Sequence, residues 1–144
     1  DEDFHMAALE YRENKLLYTL SARMRNFIKR RINPNETHQL VQNHMITLAK
    51  ASIDLFCAKH FYAAVNKIED EEVKAFFLRI CRLYCLNKIY ENRGWFLEND
   101  YISGAKSKAI RKQVEFICKK MRRYGKLYVD AFMIPDELLR AEIL

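Results

Sequence analysis

Two pairs of residues in this 144-residue chain have a spacing that would suit a metal. Cys57 and His60 lie three apart and Cys81 and Cys85 four apart, so each pair shares one side of a helix. If two helices pack antiparallel about a turn near Glu69, the pairs reach similar heights and offer a tetrahedral sulfur and nitrogen set of the kind zinc takes. Against that, free cysteine is commonly a small buried hydrophobe, and the neighbours here are apolar and aromatic. The expectation is that no metal binds. A di-iron carboxylate site needs Glu-x-x-His pairs on two helices, and only Glu2–His5 has that spacing.

The stretch "NRGWFLENDYISGAKSKAIRKQ", Asn92 to Gln113, raises a second chemistry, since glycine, serine and lysine at a helix start can cradle a phosphate. A nucleotide-binding P-loop requires glycine, four residues, then glycine, lysine and serine or threonine. Here Ala105 intervenes between Gly104 and Lys106–Ser107, and Asn99 stands where the early glycine belongs. Ser103 instead reads as the N-cap of the helix that follows. That helix is strongly basic: Lys106, Lys108, Arg111, Lys112, Lys119, Lys120, Arg122 and Arg123 are opposed only by Glu115. Such a face can bind phosphates, but the expected reading is a solvated or cofactor-facing basic surface. An apolar stripe of Ala109/Ile110, Val114, Ile117/Cys118 and Met121 runs between the charges, and nothing resembles a DNA-recognition helix. His44 falls on the inner stripe of its helix with no nucleophile beside it, so it reads as a hydrogen-bonded core histidine. No catalytic residue is assigned.

The elements that would position these residues are helical. Three glycines and two prolines are too few for hairpins at regular spacing. The first helix is expected from Phe4 to Arg31, the second from Glu36 to Lys67, the third from Glu71 to Leu97 and the fourth from Ser103 to Tyr124. Asn35 would cap the second and Asp70 the third. On helix two the main stripe is Leu40, His44, Leu48, Ala51, Leu55, Ala58 and Tyr62, with a weaker one at Ile46, Ile53, Cys57 and Ala64. Helix three carries Val73, Phe76, Phe77, Ile80, Leu83 and Tyr84 on one side and Leu78, Leu86 and Ile89 elsewhere. A helix apolar on two sides needs cover on two sides, which suggests contact with another domain or subunit. After Tyr124 a short amphipathic piece, a break at Pro135 and a final short helix follow. The fold expected is all-α, an antiparallel four-helix bundle with a short C-terminal helical extension, forming one domain over residues 1–144.

The net charge of +6 and pI of about 9.2 allow an anionic partner without demanding one. The four cysteines lack a secreted-scaffold pattern and are expected to be reduced thiols. No apolar run approaches the ~20 residues of a membrane span. The opening "DEDFHM" lacks an initiator methionine and reads as cut from something longer.

Four segments in order, "ALEYRENKLLYTLSARMR" (Ala8–Arg25), "VQNHMITLAKASID" (Val41–Asp54), "NRGWFLENDYISGAKSKAIR" (Asn92–Arg111) and "LYVDAFMIPDELLRAEI" (Leu127–Ile143), resemble the C-terminal helical domain of acyl-CoA oxidases. These are FAD enzymes of the acyl-CoA dehydrogenase superfamily, and the ending looks most like bacterial members. The resemblance implies a parent enzyme that converts acyl-CoA to trans-2-enoyl-CoA in fatty acid β-oxidation and passes the electrons to oxygen as hydrogen peroxide. The family's catalytic glutamate lies in a preceding helical domain and the flavin is supported by a β domain. No catalytic, flavin-binding or metal residue is therefore carried over to this chain. It implies a structural and dimerising role, with partners in the preceding domains and a second subunit. FAD belongs to the parent and none is expected on this piece alone. The ending Glu142-Ile143-Leu144 lacks the peroxisomal tripeptide, which gives a bacterial-like, cytoplasmic expectation with no membrane. The reading from another class is a free-standing basic helical module that binds nucleic acid or an acidic protein. Trp95 is expected to anchor the junction of helices three and four, with Trp95→Ala costing about 3–5 kcal/mol.

Overall fold

The computed structural model of the protein describes residues 2–135. They form α1 (Glu2–Lys29), α2 (Pro34–Val65), α3 (Glu71–Glu91), α4 (Arg93–Glu98), α5 (Gly104–Met121), a 3-10 turn (Arg122–Tyr124) and α6 (Gly125–Asp130), with no strand among the described residues. The all-α fold is the one expected. The final short helix expected after Pro135 lies outside the described residues.

Local chemistry sets the boundaries. Proline at position 34 holds Asn33 extended (φ −55°, ψ 137°), and the Asn33 side chain accepts a hydrogen bond from the Asn35 amide. Asn33, not Asn35, is thus the cap of α2. Asp70 caps α3 by accepting from the Glu72 and Val73 amides, and Ser103 caps α5 by accepting from the Lys106 amide. The third helix does not run on to Leu97. Asn92 ends it by turning its side-chain amide back onto the Lys88 carbonyl at 2.8 Å, and a separate short α4 follows. Three non-glycine residues among those described lie in the left-handed region, Arg31 (φ 54°), Asp100 (φ 53°) and Met133 (φ 50°). At the first two, the next residue's amide reaches back to the carbonyl five before it, Ile32 to Phe27 and Tyr101 to Phe96. That is the paired closure of a Schellman motif.

The helices do not stand at the corners of a square. α3 sits in the middle, with the α1–α2 hairpin on one side and α5 on another. This explains its two apolar sides, because much of the cover comes from within the chain. The face it buries also differs from the stripe read in the sequence. Cys81, Cys85, Leu86 and Ile89 are buried, whereas Val73 is 43% exposed and the remaining stripe residues are half-buried. Residues 81, 85 and 89 recur every four positions and form a narrow contact line that the bulkier aromatics flank. On α2, Ala51, Leu55, Ala58 and Tyr62 are buried as expected, but Leu40 and the weaker stripe residues Ile46, Ile53, Cys57 and Ala64 are exposed.

Length explains that exposure. At 1.5 Å per residue α1 and α2 are about 42 and 48 Å long, against about 31 Å for α3, so the tip of the hairpin outruns its partners. Within the tip the two helices hold each other: His44 Nε2 lies 3.0 Å from the Leu16 carbonyl and 3.2 Å from Thr19 Oγ1, and Arg23 donates to the Leu40 carbonyl.

At the other end, Trp95 is half-buried and Phe96 fully buried. Tyr11 meets Trp95 edge-on at 6.0 Å and stacks on Tyr101 at 4.3 Å, while Phe96 lies against both Trp95 and Tyr101. Phe96 is therefore the deeper anchor of this junction. Phe96→Ala is expected to lose about 3–5 kcal/mol in denaturant melts and Trp95→Ala clearly less; equal losses would show that the tryptophan carries the junction after all.

Candidate functional site

Arg12 occupies a core position on α1, one turn from Leu9 and Leu16, and is 5% exposed. A buried guanidinium must be met by acceptors. Its Nη2 donates to Asn92 Oδ1 at 2.8 Å and its Nη1 stands 4.0 Å from Asp54 Oδ2 on α2. Asp54 in turn lies 3.4 Å from Lys88 Nζ and accepts from the Tyr84 hydroxyl, both on α3. The guanidinium also faces the Trp95 ring at 5.9 Å. One charge network thus ties α1, α2, α3 and α4 together. Burial lowers the Arg12 pKa and Asp54 acts against it; burial, then Asp54, raises that of Tyr84. Arg12 Nε has no partner, and a groove of about 420 Å³ opens beside it, lined by Lys50, Ile53 and Glu91 among others.

A second buried polar cluster lies where α1 crosses α2 and α3. His5 is buried, with Nδ1 3.2 Å from the Tyr62 hydroxyl. Burial, reinforced by nearby positive charge including Arg82 and Lys106, holds His5 down at about 4. Cys81 and Cys85 lie in the same core; burial pushes their thiols up to about 12 and about 11. Thiols so far above neutral pH are poor nucleophiles. The chemistry of this cluster is packing and hydrogen bonding.

The metal set considered from sequence is not assembled. Cys57 and His60 are exposed, with His60 tilted over Phe56 at 4.1 Å, while Cys81 and Cys85 are buried. Among the described residues no group of three or more His, Cys, Asp or Glu gathers to hold a metal. The glycines of the Asn92–Gln113 stretch form no phosphate cradle: Gly94 and Gly104 are helical, neither has a positive φ, and a Cβ on either would meet open space. Lys106 lies over the Phe4 ring at 4.3 Å. Of the apolar stripe on α5, Ile110 and Ile117 are buried and Val114 half-buried, but Ala109 and Cys118 are exposed. A groove of about 630 Å³ runs between the first half of α3 and α6 and is lined by Val73, Phe76, Phe77, Tyr124 and Leu127 among others. No helix among the described residues is long and apolar enough to cross a membrane.

A family model described as acyl-CoA oxidase matches residues 1–143. The chain belongs to the acyl-CoA oxidase family. It is 33% identical over 143 residues to "Acyl-coenzyme A oxidase 2, peroxisomal" of Arabidopsis thaliana, a match that covers 99% of this chain and 20% of that protein. It is 25% identical over 142 residues to "Peroxisomal acyl-coenzyme A oxidase 2" of Rattus norvegicus, covering 98% and 21%. Its fold matches the crystal structure of acyl-CoA oxidase 3 from Yarrowia lipolytica with a TM-score of 0.86 at 21% identity, covering 94% of this chain and 20% of that one. The chain therefore spans about a fifth of the length of these relatives. All three come from eukaryotes and two are named peroxisomal, so the bacterial-like, cytoplasmic expectation finds no support.

The Arg12 and Asp54 pairing was missed from sequence, although an arginine between Leu9 and Leu16 and an aspartate between Ala51 and Leu55 were visible there. Asp54→Ala leaves Arg12 and Lys88 without their shared carboxylate and is expected to cost about 3–5 kcal/mol in denaturant unfolding; a loss near that of an ordinary surface change would place Arg12 outside any load-sharing network. For His5, whose pKa falls from 6.5 to about 4, the unfolded chain binds the extra proton between those values. Stability is then complete above about 6.5 and declines as the pH falls toward 4. His5→Gln is expected to flatten that part of the stability profile relative to the parent chain, and an unchanged slope would show that His5 is not its source.

Proposed function

We propose that this chain is the C-terminal helical part of an FAD-dependent acyl-CoA oxidase and serves there as non-catalytic cover and subunit contact. The family match across residues 1–143, in a chain one-fifth the length of its relatives, carries the reading. The surface supports it. Leu17 (52%), Tyr18 (66%) and Ile28 (68%) on α1 and Phe56 (62%) on α2 stand exposed, as expected of residues that other parts of the protein or a second copy cover.

In the parent enzyme the flavin would take a hydride from the β carbon of the acyl thioester as a carboxylate removes the α proton, and oxygen would be reduced to hydrogen peroxide. The groups described above do not suit either task. The buried carboxylate Asp54 is committed to Arg12, Lys88 and Tyr84, and the buried thiols are protonated at neutral pH. The flavin and the catalytic carboxylate are assigned to the preceding part of the protein.

The test begins with the coding DNA upstream of Asp1. The expected result is an open frame whose full product is yellow and releases hydrogen peroxide when given acyl-CoA, whereas residues 1–144 alone give no turnover. A start codon immediately upstream, with the short chain binding random DNA in a steeply salt-dependent way, would instead establish the free-standing basic module.

A further inference from the structure

The C-terminal end of α5 and the middle of α3 enclose a groove of about 550 Å³ whose lining is Arg79, Phe116, Lys119, Lys120 and Arg123. Four of the five residues are cations and none is acidic. Five cations outside the groove form ion pairs, Arg12 with Asp54, Lys59 with Glu10, Lys74 with Glu71, Lys88 with Asp54 and Glu91, and Arg111 with Glu115. Others such as Lys108 and Lys112 form none among the described residues, so it is the gathering of four cations around one concavity that sets the groove apart. Among the described residues none of the groove's cations takes part in an ion pair. Two are steered by aromatic rings instead. Lys120 Nζ lies 4.5 Å from the Phe116 ring centre and the Arg123 guanidinium 4.6 Å from that of Tyr124. Tyr124 itself meets Phe76 edge-on, and Phe76 stacks on Tyr128 at 4.2 Å, so the floor behind Arg123 is a packed aromatic cluster.

Like charges gathered around one concavity repel each other, and a bound anion relieves that repulsion several times over. Ammonium groups act as point charges for phosphate, whereas guanidinium forks bind its oxygens in pairs. The groove offers both. A single carboxylate would satisfy only one or two of the four cations, and a concavity of this size is small for a long acidic surface. The geometry points to a binding site for a compact oligophosphate group, with Arg79, Lys119, Lys120 and Arg123 as its charge partners and the half-exposed Phe116 ring as an apolar wall. The site lies within this chain and does not depend on the reading of the parent as a flavin enzyme.

The probe is inorganic triphosphate, titrated calorimetrically into the purified 144-residue chain at about 150 mM salt, where long-range attraction to the general basic field is screened. Saturable one-to-one binding is expected, with inorganic orthophosphate at least about tenfold weaker. Lys119→Ala and Arg123→Ala should each weaken triphosphate about tenfold, the equivalent of one charge-assisted contact. Lys108→Ala, on the same helix but outside the groove, should leave it unchanged, and circular dichroism checks that each variant is folded. No saturable binding would overturn the proposal. So would an equal loss in Lys108→Ala, which would reduce the effect to net charge, or tighter binding of a poly-glutamate peptide than of triphosphate, which would make the groove a protein contact.

Discussion

A guanidinium held in the core of a small helical domain constrains everything around it. Arg12 must find acceptors, and those it finds come from other helices: Asn92 where α3 ends and Asp54 on α2. Asn92 does two things at once, since its amide nitrogen closes the last turn of α3 while its oxygen receives Arg12. The break between α3 and α4 and the seating of α1 are therefore parts of one arrangement. Asp54 extends it to Lys88 and Tyr84. Replacing such a network with apolar residues of similar volume can be neutral for stability, so its value lies in fixing how the helices register against one another.

That register leaves α3 central and the α1–α2 hairpin long. Inside, α3 presents Cys81, Cys85 and Ile89 to its neighbours. Outside, among the described residues, the hairpin tip is held by its own two helices, joined by the Arg31 turn and by His44 against Leu16 and Thr19. A projecting pair of helices with apolar residues on its outer faces is costly for a lone domain and natural for one that is part of something larger.

The sequence carried the fold class because helix boundaries are written in few residues: Asp70 and Ser103 mark two starts by capping chemistry, and Pro34 marks the break before the second helix, although its cap is Asn33 and not Asn35. The stop at Asn92 was hidden, because an asparagine inside an apolar run announces a break only when its side chain is seen to turn back on Lys88. The ends near Arg31 and Leu97 were legible from the breaks that follow them, but their left-handed closure was hidden, since Arg31 and Asp100 fill the positions where glycine would have been the signal. The core face of α3 was misread because ranking by size favours Phe76, Phe77 and Tyr84 over two cysteines. At the sites, spacing placed Cys57 with His60 and Cys81 with Cys85, but the rotation of each helix decides which side is buried, and spacing within one helix does not fix it. The charges of α5 were legible as a basic run; Arg79, which completes the groove, comes from a helix remote in sequence.

The central claim is that this helical unit is completed by a larger oxidase that covers the outer face of the hairpin. Hydroxyl-radical footprinting tests it most directly, comparing the 144-residue chain with the full-length product of its reading frame. Tyr18 and Phe56, exposed at 66% and 62%, should label readily in the short chain and be protected in the long one. Equal labelling of both residues in the two proteins would contradict the account.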